Sequence, residues 1–169
     1  MALTLVVEDG SGLSTANSYA TEAQGDSYHD GHLYATSWTG ATSANKEAAL
    51  VMATRLLDEN IDWTGRKFDE DQALDWPRSG TSDRDGYAID HDEIPASLAN
   101  ATAELARWLI DSDRTAEAGT EGFRRLKADT LEMEIDKTDR AGVLPRVVVR
   151  MIRHLGRPVG GIAAPVVRT

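Results

Sequence analysis

The sequence predicts a mainly helical α+β domain: a small bundle of about four helices with a long irregular loop, a short β-hairpin and an extended C-terminal tail. Three observations carry this. Segments 43–60 and 95–112 repeat apolar residues at helical spacing. Between them, residues 61–93 show no helical period and are broken by Pro77 and several glycines. The 169 residues suit one domain, and 41% hydrophobic residues supply its core.

Leu3, Leu5 and Val7 alternate with Thr4, Val6 and Glu8, the pattern of a short strand, ended by Asp9-Gly10-Ser11-Gly12. Asn17 or Ser18 offers an N-cap for a helix over 18–36. Gly25 and Gly31 weaken that helix, each by about 1 kcal/mol relative to Ala. The second helix, Ser43 to Asn60, lines up Ala49, Met52, Ala53, Leu56 and Leu57 on one face. In the 61–93 loop, Asp85-Gly86 suits a tight hairpin. Pro95 fits the first turn of a third helix, striped by Leu98, Thr102, Leu105 and Leu109. Residues 124–136 read as a half-buried strand, with Leu131, Met133 and Ile135 facing one way.

The last helix is expected from Leu144 to Leu155, ending at Gly156. Leu144, Val148, Met151, Ile152 and Leu155 form its apolar face. Arg146, Arg150, Arg153 and Arg157 form a stripe on the opposite side. Residues 1–156 are therefore expected as one domain and 157–169 as an extended arm. That arm is too rich in Gly and Pro to fold alone, yet apolar at Val159, Ile162, Val166 and Val167. It is expected to order on docking to a partner or within an oligomer.

The net charge is −10, which opposes nucleic-acid binding on average. The charge is uneven. Residues 1–45 hold five acids and no Lys or Arg, whereas residues 140–169 hold six arginines and no acid. Such polarity points to an acidic partner for the arginine stripe, or to complementarity of the two ends within the fold or between copies. With no cysteine, disulfides, zinc thiolates and a cysteine nucleophile are excluded. The first residues, Met1-Ala2-Leu3-Thr4, do not suggest a leader, and no apolar run reaches membrane-spanning length.

No nucleophile elbow or phosphate loop occurs, so neither enzyme nor cofactor is expected. Asp26, His29, Asp30 and His32 could converge on a metal, but the spacing lacks an obvious third ligand, so an exposed polar face is expected. Asp83, Asp85, Gly86 and Asp92 faintly resemble a calcium loop; a hairpin turn explains them better. Trp63 and Trp76, near Arg66, Lys67 and Arg78, have two readings. They could stack on single-stranded bases, or they could staple the loop onto the helices or a neighbouring subunit, the reading preferred here.

These residues also resemble a known phage family. The match runs through Val7-Glu8-Asp9-Gly10-Ser11-Gly12-Leu13, Ala16-Asn17-Ser18-Tyr19, Ala48-Ala49-Leu50 and Trp63-x-Gly65-Arg66. It continues through Gln72-x-Leu74-x-Trp76-Pro77-Arg78-x-Gly80, Ile94-Pro95 and Ala103-Glu104-Leu105-Ala106, covering about residues 6–110. The family is often labelled DnaT-like single-stranded-DNA-binding, and its members resemble head–tail connector or head-completion proteins of long-tailed phages. The resemblance implies a structural virion protein in the neck, assembled in the host cytoplasm. It would form a homo-oligomeric ring, usually a dodecamer, between the portal protein and a tail-side neck or tail-completion protein. Genomic DNA would pass through the lumen without specific binding, and no membrane would be involved. The alternative implied by the label is a single-stranded-DNA-binding protein of replication type.

Overall fold

The computed structural model describes residues 3–116, 125–128, 131–134 and 142–159. Among these the chain is α+β, with five helices and three two-stranded antiparallel sheets.

The N-terminal segment forms only an isolated bridge, Val7 to Ser18, in place of the expected strand. Its order comes from Glu8. The buried Glu8 carboxylate accepts hydrogen bonds from the backbone amides of Gly10, Gly12 and Leu13 at 2.8–3.0 Å. A polar side chain thus meets the hydrogen-bonding needs of a turn that a ladder would otherwise have to supply.

The helix expected over 18–36 is two helices: α1, Glu22–Asp30, and α2, Thr36–Thr39. Its cap is Thr21, which forms a reciprocal capping box with Gln24. Gly25 is not a weak point here. A Cβ at that position would lie 2.5 Å from Trp38 Cζ2, so only glycine lets α1 close over the fully buried Trp38.

Helix α3, Ser43–Asn60, has the expected bounds and is capped by Thr42. It packs on α4, Ala96–Asp111, which starts immediately after Pro95. The start of α3 lies beside the end of α4, since Asn45, Ala48 and Met52 line one groove with Leu109 and Ile110. Leu50, Ala53 and Leu57 of α3 form the centre of the core with Leu98, Ala101 and Leu105 of α4. Helix α5, Arg146–Ile152, packs on α4 and adds Val148 and Ile152.

Helix α5 is shorter than expected, because the chain turns after Ile152 to enter a sheet. Strand β6, Gly156–Pro158, pairs antiparallel with β1, Ile61–Trp63. Gly156 is therefore a strand residue, not a helix cap. The expected boundary after residue 156 falls inside this strand, and Val159 N–H donates to the Asn60 carbonyl at 2.8 Å. Backbone pairing with β1 fixes 157–159 to the body, so the arm does not begin at 157. Ile162, Val166 and Val167 lie outside the described residues.

The other sheets are small. Strand β2, Arg66–Lys67, pairs with β3, Arg78–Ser79. Residues 124–136, expected as one strand, contain two: β4, Arg125–Ala128, and β5, Leu131–Glu134. Their register places Arg125 opposite Glu134 and Lys127 opposite Glu132.

Candidate docking surface

The 61–93 segment was the first candidate for a site, and its tryptophans decide what it can do. Trp76 is fully buried and Trp63 is 9% exposed; their rings meet edge to face at 6.0 Å. Tyr19 and Asp58 hold them there. Tyr19 Oη donates to Asp58 Oδ1 at 2.7 Å and accepts from the Trp76 backbone N–H at 3.1 Å. Trp63 Nε1 donates to the same carboxylate at 3.2 Å, as does the Asp75 backbone amide to Oδ2. One carboxylate at the end of α3 thus ties down the N-terminal segment, β1 and the loop. Burial pushes its pKa up to about 6, with Asp75 nearby adding to the effect. The tryptophans staple the loop and offer no face to stacking bases.

The cations of this segment are mostly committed. Arg78 donates to the carbonyls of Thr64, Gly65 and Asp75. Lys67 pairs with Asp75 at 3.2 Å, while Arg66 is exposed. Asp83 Oδ1 accepts from the amides of Asp85 and Tyr87, a hairpin turn where the calcium-loop resemblance lay.

The His/Asp group of α1 also has other partners. His29 is buried and contacts the Ala103 carbonyl through Nε2 at 3.1 Å. Asp26 accepts from Trp38 Nε1 and pairs with Lys46 at 2.7 Å. No group of three potential metal ligands occurs among the described residues. Near them sits buried Glu104, part of the Ala103-Glu104-Leu105-Ala106 segment that carries the family resemblance. Burial alone would raise its pKa, but hydrogen bonds from Arg107 at 2.6 Å and Trp108 at 2.9 Å outweigh it and hold it below the usual value. Ser97 Oγ lies 3.3 Å from His154 Nε2, and His154 Nδ1 is buried with no hydrogen-bond partner among the described residues.

The expected arginine stripe is a surface, with a different makeup. Arg146 and Arg150 lie one turn apart on α5, Arg153 follows in the turn, and Arg157 sits on β6, not on the helix. All four are exposed, as are Val147 and Val159 beside them. Arg84 joins them from the loop, donating to the carbonyls of Arg150 and Met151 at 3.1 and 3.4 Å and so capping the end of α5. Nothing in the sequence signals this contact, which spans 66 residues. Among the described residues none of these five arginines is in an ion pair, whereas Lys46, Arg55, Lys67 and Arg107 all are.

An opposite surface forms where three segments meet. Gly10 packs so closely on the Asp92 carbonyl that a Cβ would overlap it, Gly12 faces Asp69, and the Phe68 ring lies 4.8 Å from His91. Asp9, Asp69, Glu70, Asp71, Asp90, Asp92 and Glu93 are exposed along this rim. None is in an ion pair among the described residues, and segments 8–13, 68–72 and 90–93 contain no Lys or Arg.

With curated proteins and with solved structures, the comparison finds no significant match. The comparison with protein families does find one: the profile described as "Putative DnaT-like ssDNA binding protein" matches residues 3–169. That match spans nearly the whole chain, so the protein belongs to the DnaT-like ssDNA binding protein family.

Proposed function

We propose that the chain is a structural subunit of a tailed-phage neck, an adaptor that forms a homo-oligomeric ring between the portal protein and a tail-side neck or tail-completion protein. The observation that carries this reading is the division of the surface: an acidic body, a cluster of arginines around α5 that are in no ion pair among the described residues, and both loop tryptophans buried. A ring wall that DNA must slide past should repel phosphates, and a net charge of −10 suits that task. The arginine face would then serve docking, giving orientation and encounter rate more than raw affinity. The resemblance over residues 6–110 supports the same role. Residence in the virion neck, assembly in the host cytoplasm and the absence of catalysis belong to this reading.

A second reading, single-stranded-DNA binding, is the one the family description favours, and the comparisons support it better than they support an adaptor. Five unpaired arginines could contact phosphates. What the described residues do not offer is an exposed tryptophan beside them for stacking. The experiment is a paired assay on the full chain and its Arg150→Glu/Arg153→Glu variant. If the adaptor reading holds, the chain attaches to portal-bearing capsids and the variant does not, while neither binds oligo-dT tightly. Tight, arginine-dependent binding to oligo-dT without attachment to capsids would establish the second reading instead.

A further inference from the structure

We infer that the arginine face is covered by the acidic rim of a second copy of this chain. This names the partner of the docking surface just described and rests on the reading of the protein as a self-assembling subunit. Two complementary surfaces exist on one chain, and each is left unpaired by its own fold. Arg146 and Arg150 lie one turn apart on α5, Arg153 follows in its turn, and Arg84 binds the carbonyls at the same helix end, so these positive charges lie close together. The rim at 69–71 and 90–93, with Asp9, is built as rigidly, by the Glu8 turn and the close packing of Gly10 on Asp92.

The ends of these surfaces come near each other around a groove of about 440 Å³, lined by Arg84, Glu93 and His154. No ion pair closes across that groove among the described residues. Among the described residues no ion pair joins the two faces, although Asp62 stands opposite Arg157 across the β1–β6 pair, and a second copy can supply the missing partners. Exposed Val147 and Val159 beside the arginines supply apolar area that such a contact would remove from water. Contact between different surfaces of identical chains is heterologous, the type that closes into rings or runs into filaments. At a net charge of −10 per copy, distant copies repel, so association depends on this local match and weakens with salt.

The test uses charge reversal on the full chain. One variant carries Arg150→Glu and Arg153→Glu, the other Asp69→Lys and Asp71→Lys. Circular dichroism verifies folding, and sedimentation velocity follows self-association over a concentration series. The wild-type chain associates, and each variant alone is weakened by about a hundredfold or more, the effect of like charges placed opposite one another. Mixed together, the two variants associate again, because reversed face meets reversed rim at one junction and the unchanged arginine face meets the unchanged acidic rim at the next. A monomeric wild type, unchanged association of either variant, or a mixture that stays apart would overturn the inference. Self-association by this route without attachment to portal-bearing capsids would leave it standing and sink the adaptor reading alone.

Discussion

Asp58 is the group whose titration should be visible in the stability of the whole fold. Its carboxylate accepts hydrogen bonds from Tyr19, Trp63 and the Asp75 amide, yet burial raises its pKa to about 6. In the unfolded chain an aspartate titrates near about 3.9. The folded protein therefore binds this proton more tightly than the unfolded one. Its contribution to stability is fully present below the unfolded pKa and is lost as pH rises through about 6. A shift of about two units is worth about 3 kcal/mol. Other carboxylates, such as Glu104 and Asp26, have lowered pKa values and act in the opposite direction, so the wild-type profile alone will not isolate the effect. Comparison with Asp58→Asn does isolate it, since the amide keeps an acceptor for Tyr19 and Trp63 but does not titrate. Urea unfolding of both proteins across about pH 4.5–7.5 should show the variant gaining stability relative to wild type as pH rises, by about 2 kcal/mol over that window, the rest of the effect lying at lower pH. A difference that stays flat with pH would mean that Asp58 titrates normally, and the account of the buried hub would fail.

Other substitutions probe the remaining parts. Trp76→Ala should cost about 3–5 kcal/mol and lower the melting temperature by several degrees, because it empties a fully buried site; an unchanged melting temperature would show that the loop is not stapled. Gly25→Ala should destabilise by about 1–3 kcal/mol through overlap with Trp38, although helix propensity alone predicts a gain. The same denaturation assay reads its sign. Glu8→Ala removes the acceptor of three backbone amides and should cost about 2 kcal/mol or more, with hydrogen exchange at Gly10, Gly12 and Leu13 rising first.

What the sequence made legible follows from which forces are local. Helix α3 was readable to its ends, because the Ala49–Leu57 face and the loss of period after Asn60 are local signals; its Thr42 cap came from the structure. Helix α4 was readable from Pro95 for the same reason. The burial of Trp63 and Trp76 followed from size and apolarity. The first helix was expected too long, since the Thr21–Gln24 capping box starts it later and it stops at Gly31, while Gly25 inside it is needed for contact with Trp38 thirteen residues away. The last helix failed because a strand partner, β1, lies almost a hundred residues upstream and no period in the sequence announces it. The arginine stripe was visible as a pattern. That Arg84 joins it, and that the acids of three separate segments gather on one rim, needed the fold.

The central claim is that the arginine face serves protein docking and not the grip of nucleic acid. The most direct measurement is a fluorescence-anisotropy titration of labelled oligo-dT with the full chain at about 150 mM salt, where screening is near physiological. No saturable binding is expected below micromolar concentrations. Saturable sub-micromolar binding, lost in Arg150→Glu/Arg153→Glu and weakening steeply with added salt, would contradict it.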